Sequence, residues 1–482
     1  MESSHEVRFR QIEERKDATA RFRVRWVVAG RRFGRSFVTR GLADSFQAQI
    51  IAAARNGQSF DLETGLPQSL LRINRDVTCY QHAREFLASA WAGAAAKSRV
   101  SMIETLSVVL PVLTRDLARE PEPEVLRHAL RQALNQNEHA RPLGPDEARA
   151  LAWLQRASRP IASLEDPSVV CDVLDALATR LDGTPAAPEY FSRRRRVMHR
   201  VLAYAVRKRR LSKNPLSKGN LPEGWSEPPR PEDAVDPRSV GSPELVADML
   251  TVVSYIGRRQ GLRFAAFYGC MFYAMMRPSE VISLTGNACD LPDEGWGRLV
   301  FSEASTAAGR DFTNDGMVHE DRGLKGRSRQ ARSRMAVRNV PIPPEMVHLL
   351  REHMDRFGTA EDGRLFRTEN GTPIQPSTYW QVWVKTRALA LTPQQLATPL
   401  MRRPYDLRHS GVTWRLNSGV PATEVAAWAG HSVEVLMRVY ARCVAGLEDV
   451  WIARMDASLG RAAAEAPRQE TPTTAAHKRT GT

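Results

Sequence analysis

Cysteine is scarce in this chain of 482 residues, and the five cysteines that it has are scattered without a CxxC pair. Their spacing argues against a zinc centre and against a disulfide framework, and it agrees with a reducing cytoplasm. A P-loop, an HExxH motif and a paired set of cysteine and histidine ligands are also missing. The sequence therefore implies neither ATP nor a metal ion, and we predict no cofactor.

Long hydrophobic runs are missing as well. No stretch reaches the roughly 18 consecutive apolar residues of a membrane-spanning helix. The N-terminus is charged from the start and lacks the apolar segment of a signal peptide. We expect a protein that neither spans a membrane nor is secreted by a cleavable signal, and that stays in the cytoplasm.

Acidic residues are outnumbered, because 54 aspartates and glutamates face 69 lysines and arginines and leave a net charge of +15. This surplus favours a polyanionic partner, with nucleic acid as the first choice, although basic charge alone is a weak indication. The length and the hydrophobic content of 42% suit about two to four globular domains.

Arginine alternates with apolar residues in the stretch RFRVRWV that begins at residue 21, which predicts a strand with one charged face. A return strand from Phe33 to Val38 completes a hairpin, a helix follows from Ala43 to Arg55, and residues 60–71 are predicted to be a linker. The candidate DNA-binding residues of the hairpin are Arg21, Arg23, Arg25, Arg31 and Arg32. A β-ribbon can enter a DNA groove with such arginines on phosphates or guanines. The alternative is a strand edge that is charged to prevent aggregation.

Residues 76–217 are predicted to be helical throughout, as six segments separated by proline and glycine. The last segment, from Pro188 to Arg210, carries arginines over more than one face. They include the candidate DNA-binding residues Arg193, Arg194, Arg195 and Arg196. We interpret the region as a helical domain that grips a duplex from one side, and the alternative is an ordinary charged helix. Residues 218–242, with prolines and acidic residues, predict a linker.

Residues 404–443 carry the densest set of chemically useful side chains. The predicted helices run from Leu407 to about Gly419, from Thr423 to Gly430 and from Val433 to Tyr440. This arrangement places Arg408 at the start of the first helix, His431 in the turn before the third helix and Tyr440 near its end.

These residues carry a resemblance. Arg-His-Ser at 408–410, Ala-Gly-His-Ser at 429–432 and the tyrosine at 440 together resemble the second conserved box of the tyrosine site-specific recombinases, the phage integrase family. The stretch MRPSE around Arg277 is similar to the family's first arginine box. The stretch GLKGR, followed by RNVPIP from residue 338, resembles the family's β-hairpin, with Lys325 at the position of its catalytic lysine. The arginine- and alanine-rich style is similar to integrases of actinobacterial mobile elements.

The resemblance implies a mainly α fold with small β elements. It divides the chain into an N-terminal β-hairpin arm domain (1–72), a helical core-binding domain (76–217), a linker (218–242), a mixed α/β catalytic domain of the tyrosine recombinase and type IB topoisomerase kind (243–458) and a disordered tail (459–482). The catalytic domain is expected to contain a small sheet around residues 299–301, 321–325 and 338–342.

The activity implied is that of an enzyme that cuts and rejoins double-stranded DNA at attachment-type sites through a 3′-phosphotyrosyl intermediate, and so integrates or excises a mobile element. The implied assembly is a homotetramer on paired sites and a monomer or weak oligomer off DNA. An accessory protein that bends DNA or sets direction and a nucleoid-associated location fit the same interpretation.

The implied roles agree with the physics of phosphodiester cleavage. Arg277 and Arg408 would hold the phosphate, because two guanidiniums offset the charge that grows in the transition state. Tyr440 would be the nucleophile, and the clustered cations are expected to favour its phenolate. Lys325 would give a proton to the leaving 5′ oxygen, and His431 would bond the phosphate or tune the nucleophile.

One position departs from the family. The family usually has histidine, sometimes lysine, three residues before its second arginine, where this chain has Tyr405. A phenol can donate a hydrogen bond to phosphate but cannot act as a base near pH 7. Because one residue along a helix turns a side chain by about 100°, His409 is expected to face away from the site and to pack or cap internally.

Alternatives remain open. Each candidate side chain also has an ordinary interpretation, as a solvated helix-end arginine, a phosphate-positioning lysine, a turn histidine or a core tyrosine. A type IB topoisomerase-like enzyme would share the chemistry, and a catalytically inactive DNA-binding regulator would share the fold, with Tyr405 as its only support. A last amphipathic helix, Glu448 to Leu459, is predicted either to dock on a neighbouring protomer or to pack within the chain.

Overall fold

The computed structural model describes residues 3–14, 21–67, 69–70, 77–138, 140–226, 234–257, 260–324, 337–444 and 448–459. The chain divides into two compact units. Met1–Pro231 and Thr306–Glu320 form the first unit, and Glu232–Ser305 and Asp321–Thr482 form the second. The predictions for Lys325 and for a tail over residues 460–482 fall outside the described residues.

The first unit begins with a small sheet and one helix. Its elements are β1 (Ser3–Ser4), β2 (Val7–Phe9), β3 (Glu13–Glu14), β4 (Phe22–Val28), β5 (Arg31–Phe37), α1 (Arg40–Arg55) and β6 (Phe60–Asp61). β4 pairs with β2 and β3 and also with β5, always antiparallel. Ala29 and Gly30 join β4 to β5 with φ angles of 44° and 82°, the left-handed backbone that a two-residue hairpin turn requires. The predicted hairpin and helix are confirmed, and the helix starts three residues earlier than expected.

The hairpin and α1 enclose a small core. Val24, Trp26 and Val28 alternate along β4 toward the inside, where they join Phe46 and Ile50 of α1. This period of two is what the sequence pattern predicted for a strand with one buried face.

The expectation of a linker from residue 60 is wrong for its first residues. Phe60 is completely buried, and β6 pairs with β1. The ring of Phe60 meets that of Phe9 edge-on, with 6.3 Å between centroids. An aromatic ring that fills a small core is fixed by its neighbours, so this stretch is part of the same folded core as the hairpin and α1.

The middle of the first unit is helical, as predicted. Its helices are α2 (Cys79–Ala90), α3 (Ala96–Val112), α4 (Pro123–Ala133), α5 (Pro145–Ala157), α6 (Pro167–Ala178) and α7 (Pro188–Arg207). All six helices contribute a buried leucine to one common core: Leu87, Leu106, Leu130, Leu154, Leu174 and Leu202. Proline at the first turn of four of them matches the helix starts read from the sequence.

The remaining elements combine small sheets with helices. They are α8 (Pro243–Ser254), α9 (Gln260–Tyr273), α10 (Pro278–Ile282), β7 (Cys289–Asp290), β8 (Gly297–Phe301), β9 (Glu303–Ala307), β10 (His319–Gly323), β11 (Arg338–Ile342), α11 (Pro344–Phe357), α12 (Pro376–Ala390), α13 (Pro393–Leu396), α14 (Asp406–Asn417), α15 (Ala422–Ala429), α16 (Val433–Tyr440) and α17 (Glu448–Ser458). β8 lies between β11 and β7, antiparallel to both, and β9 pairs with β10. The mainly α fold with small sheets is confirmed.

The segment between β9 and β10 belongs to the first unit. Phe312 joins the helical core there. Arg99 of α3, only 2% exposed, donates hydrogen bonds to the carbonyl of Phe312 at 2.9 Å and to Oδ1 of Asn314 at 2.7 Å. The amide of Asn135 donates to the carbonyl of Asp311 at 2.9 Å. Residues 306–320 are therefore built into the helical core by packing and by hydrogen bonds.

A close contact between two helices of the second unit positions the site. A Cβ atom on Gly411 of α14 would overlap the carbonyl of Phe272 in α9. Only glycine allows two helical backbones to approach this closely. The contact holds the first turn of α14, with Arg408, next to the chain that follows α9.

No helix within the described ranges is both long enough and apolar enough to cross a bilayer.

Candidate active site

Arg277 lies at the start of the short helix α10. Its backbone N–H donates to Oε2 of Glu280 at 2.8 Å, and its guanidinium donates to Oε1 at 2.8 Å. The backbone contact is half of a helix capping box, and Pro278 at the first helical position favours the same start. The Arg277 side chain remains 34% exposed, so an anion can reach it from solvent.

Glu280 is a buried carboxylate with three guanidiniums around it. Besides Arg277, Arg338 of β11 donates a hydrogen bond to Oε1, and Nη1 of Arg408 in α14 lies 4.0 Å from Oε2. Burial raises the pKa of Glu280, but Arg338, Arg408 and Arg277 outweigh it and lower the pKa to about 2. One negative charge thus holds three positive ones together, and the cluster keeps a positive surplus.

The end of α15 supplies a carbonyl to two of these arginines. The Ala429 carbonyl accepts hydrogen bonds from Nη1 of Arg338 at 3.3 Å and from Nη2 of Arg408. Gly430 ends the helix with φ 67°, a conformation that glycine adopts without steric cost. A Cβ at Gly430 would lie 3.0 Å from Cζ of Arg338. The turn places His431 beside Arg408.

Arg408 and His431 form a direct contact. Arg408 is completely buried, and its Nη2 lies 2.9 Å from Nε2 of His431. Because a guanidinium only donates, Nε2 accepts and the neutral ring carries its proton on Nδ1. Burial, together with Arg408 and Arg277, lowers the pKa of His431 to about 3. Within the described residues, Nδ1 is buried and has no hydrogen-bond partner, so its N–H is unsatisfied in the free protein.

Tyr440 lies at the end of α16 and is 1% exposed. Its hydroxyl is 3.0 Å from Nδ1 of His409, and its ring stacks on that of His431 with 6.2 Å between centroids. Burial raises the pKa of Tyr440 well above its ordinary value, and Arg408 offsets this only in part. The clustered cations favour the phenolate as expected, but in the free protein burial is the larger effect and keeps the pKa raised.

Tyr405 belongs to the same cluster. Its phenol lies close enough to Arg277 to raise the pKa of that guanidinium. Burial lowers the pKa of Arg277, but Glu280 and Tyr405 outweigh it, so the pKa is raised. The Tyr405 ring meets the ring of His409 edge-on, with 5.1 Å between centroids, as residues four apart on a helix do.

His409 does not face away from the site, and that expectation is wrong. Arg408 points toward Glu280 and Ala429, whereas His409 points toward Tyr440. The rotation of about 100° per residue is real, but the site surrounds the start of α14 on more than one side. Burial, with Arg403 and Arg408 nearby, lowers the pKa of His409 to about 4.

The second unit therefore brings five of the six predicted site residues together: Arg277, Tyr405, Arg408, His431 and Tyr440. The sixth, Lys325, lies outside the described residues, and its role stays a prediction. Leu324, which precedes it, is tied by its backbone N–H to the carbonyl of Ser302 at 2.6 Å.

The hairpin arginines differ in their surroundings. Arg21, Arg31 and Arg32 are exposed, whereas Arg23 and Arg25 are half-buried. Arg25 pairs with Glu13 at 2.9 Å across β4 and β3. Their DNA contacts stay a prediction.

Arg194 does not fit the DNA-binding role predicted for it. It is 4% exposed, and its Nη1 donates to the carbonyl of Thr179 at 2.9 Å, beyond the end of α6. Its guanidinium also lies 4.2 Å from the centroid of the Tyr190 ring. Four successive arginines on a helix cannot all face outward. Arg193 and Arg196 are exposed, and Arg195 donates to the carbonyl of Leu216 at 2.8 Å.

Three residues of the site were not identified from the sequence: Glu280, Arg338 and His409. Glu280 had a signal, since it stands at the third helical position after Arg277, where a capping glutamate belongs. Arg338 also had one, because Arg338, Val340 and Ile342 share one face of a strand and all three are buried. For His409 we see no signal in sequence alone.

In the part of the chain that the structure describes, no group of three or more histidine, cysteine, aspartate or glutamate side chains could hold a metal ion.

No protein-family model matches the chain. Among curated proteins, it is similar to a tyrosine recombinase XerC-like protein of Caldanaerobacter subterraneus subsp. tengcongensis, with 22% identity over 200 residues. The match covers 38% of this chain and 47% of the relative, so the chain spans about half of the relative's length. The resemblance to tyrosine recombinases that the motifs predicted is confirmed.

The chain is also similar to three solved structures that contain DNA. The Tn1549 transposon integrase in complex with a circular intermediate DNA has a TM-score of 0.46 and 15% identity, over 72% of this chain and 99% of that one. XerH bound to a palindromic difH substrate has a TM-score of 0.42 and 11% identity, over 76% and 96%. A lambda integrase dimer bound to a COC′ core site has a TM-score of 0.42 and 12% identity, over 87% and 91%.

Proposed function

We propose that this chain is a site-specific DNA recombinase that cuts and rejoins DNA through a covalent bond between Tyr440 and a 3′ phosphate. One observation carries the proposal: a phenol, an imidazole and two guanidiniums converge in one unit. Arg408 lies 2.9 Å from His431, whose ring stacks on Tyr440, and Glu280 links Arg408 to Arg277. This set places a nucleophile next to a cationic binding site for a phosphate.

The roles follow from position and charge. Arg277, which solvent reaches, receives the phosphate first, and Arg408 stabilises the charge that develops on its oxygens. His431 stays neutral at pH 7 and donates from Nδ1 to a non-bridging oxygen. Tyr405, which lies beside Arg277, holds that guanidinium or donates to the phosphate.

Tyr440 attacks the phosphorus, the bond to the 5′ oxygen breaks, and Lys325 gives that oxygen a proton. The phosphotyrosyl bond keeps the energy of the phosphodiester, so a 5′ hydroxyl from a partner strand can attack it and rejoin the DNA. Neither ATP nor a cofactor enters this scheme.

The DNA contacts are assigned to the first unit. The net charge of +15 favours a phosphate backbone as partner. Exposed Arg21, Arg31 and Arg32 suit an arm that contacts DNA through the hairpin, and exposed Arg193 and Arg196 suit a core-binding domain. The division into arm, core-binding and catalytic domains is part of the proposal.

The assembly is proposed to be a tetramer on paired attachment sites and a monomer or weak oligomer off DNA. Exposed apolar residues on α17, namely Trp451, Ile452 and Met455, suit a helix that docks on a neighbouring copy. An accessory protein that bends DNA or sets direction, a nucleoid-associated location and a mobile element as cargo complete the proposal.

Covalent trapping tests the function. Nicked duplexes made from DNA that flanks the gene are incubated with the protein and denatured in SDS, and protein-linked DNA is measured. We expect an adduct at one sequence that Tyr440→Phe abolishes while binding persists. Tight binding without any adduct would favour an inactive regulator instead. Relaxation of a supercoiled plasmid without site preference would favour a type IB topoisomerase.

A further inference from the structure

The nucleophile proposed above has to lose a proton before or while it attacks. Tyr440 is 1% exposed, and burial raises the pKa of its phenol. Water does not reach the hydroxyl freely, and the ionised fraction at pH 7 is small. The attack therefore requires a proton acceptor that touches the phenol oxygen.

One side chain within the described residues is hydrogen-bonded to that oxygen, and it is His409, whose Nδ1 lies 3.0 Å away. His431 lies farther off, since its ring stacks at 6.2 Å between centroids and its Nε2 is bonded to Arg408. Tyr405 lies beside Arg277, and a phenol takes no proton near pH 7. The geometry leaves one acceptor in place.

We propose that His409 accepts the proton of Tyr440 during strand cleavage, an inference that rests on the recombinase function proposed above. The Tyr440 oxygen bonds to phosphorus, its proton moves to Nδ1 of His409, and the P–O5′ bond breaks with a proton from Lys325. In the rejoining step, the 5′ oxygen bonds to phosphorus and its proton returns to Lys325, while the P–O bond to Tyr440 breaks and His409 returns its proton to the phenol oxygen. Protons and bonds balance over the two steps.

The groups that face His409 explain how it can be both neutral at rest and basic in the reaction. Arg403 and Arg408 are the cations beside it, and the rings of Tyr405, His431 and Tyr440 also lie next to it. Without DNA the ring is uncharged and its lone pair is available to the phenol. A phosphate seated on Arg277 and Arg408 brings negative charge that offsets these cations and stabilises an imidazolium.

The test compares His409→Ala and His409→Asn on the nicked flanking duplexes that give the wild-type adduct. An asparagine amide oxygen can occupy the place of Nδ1 and accept the hydrogen bond, but it cannot take a proton. We expect both variants to form the adduct about 100-fold more slowly than the wild type in single turnover, with unchanged duplex affinity. His348→Asn, on the exposed face of α11, is the matched control and should keep the wild-type rate.

A second experiment distinguishes a loss of proton transfer from structural damage. Tyr440 is replaced by 3,5-difluorotyrosine, whose phenol is more acidic and depends less on a base. The defect of His409→Ala should then shrink at least tenfold. A wild-type rate in His409→Asn would show that His409 only accepts a hydrogen bond. A faster rate in His409→Ala would show that His409 holds Tyr440 back from attack. A defect that the fluorinated tyrosine leaves unchanged would show that His409 supports the structure of the site and does not take the proton. Each of these outcomes overturns the proposal while the recombinase function stands, whereas a wild-type protein without adduct overturns both.

Discussion

Glu280 and Arg338 form a buried ion pair although 58 residues separate them in the sequence. The pair joins the start of α10 to the first residue of β11. Since Glu280 also holds Arg277 and lies 4.0 Å from Arg408, this carboxylate fixes the spacing of the guanidiniums that the proposed reaction uses. A residue with no part in bond making thus defines the shape of the site.

Glu280→Gln should destabilise the protein by about 3 kcal/mol, because it leaves the buried guanidiniums of Arg338 and Arg408 without an anion. Urea titration at pH 7 measures the change in the free energy of unfolding. Glu369→Gln, at an exposed position, is the control and should change stability by less than about 0.5 kcal/mol. Equal stability of the wild type and Glu280→Gln would show that the cluster does not need the charge.

The stabilisation from Glu280 should depend on pH in a defined direction. Its folded pKa of about 2 lies below the reference value of 4.5, so the contribution is complete above pH 4.5 and is lost as the pH falls toward 2. The difference between the two pKa values corresponds to a contribution of about 3 kcal/mol to the free energy of unfolding. Urea titrations from pH 7 to pH 3.5 should show the gap in stability between wild type and Glu280→Gln narrowing below pH 4.5. A gap that narrows already between pH 7 and pH 5 would contradict the assignment.

Arg277→Lys and Arg408→Lys should separate stability from activity. Arg277 is partly exposed, so its replacement should cost at most about 1 kcal/mol of stability but slow adduct formation by about 100-fold, since lysine cannot make paired contacts to a phosphate. Arg408 is completely buried with carbonyl and imidazole partners, so its replacement should also destabilise the fold, by about 2 kcal/mol or more. Urea titration and single-turnover trapping measure the two effects. Equal stability losses would disprove the distinction.

Gly430→Ala should disturb the site as well as the backbone. Its left-handed φ of 67° costs alanine about 1 kcal/mol, and the added Cβ would press on Arg338 at 3.0 Å. Gly371→Ala is the matched control, because its φ is 76° and a Cβ there meets nothing within 4 Å. We expect Gly430→Ala to lose more stability than the control and to slow adduct formation, which the control should not change.

Much of the fold could be predicted from local pattern. The hairpin of residues 22–37, the helices of the first unit and the three helices around Arg408 and Tyr440 follow from alternation, helical spacing and proline or glycine at their ends. The burial of Arg194 could not be predicted, because it depends on a carbonyl at Thr179 beyond the end of another helix.

The site was predictable where its residues carry a family motif, and not where its partners come from tertiary contact. Arg277, Arg408, His431 and Tyr440 stand in recognisable boxes. The bond from His409 to Tyr440 depends on how two helices meet, and the pKa of Tyr440 depends on its burial. Helical rotation alone gave the wrong direction for His409, because it describes one helix without its neighbours.

The placement of residues 306–320 has a consequence for dissecting this protein. The chain leaves the first unit after residue 231, returns for that segment and leaves it again at residue 320, so the boundary is crossed three times. One protease cut near residue 231 would therefore give two fragments that stay associated, because Phe312 of the second fragment packs in the helical core of the first. A gene fragment that starts at residue 232 would encode that segment without its binding surface. Clean separation of the two units would require a short loop in place of residues 306–320 in addition to a new start.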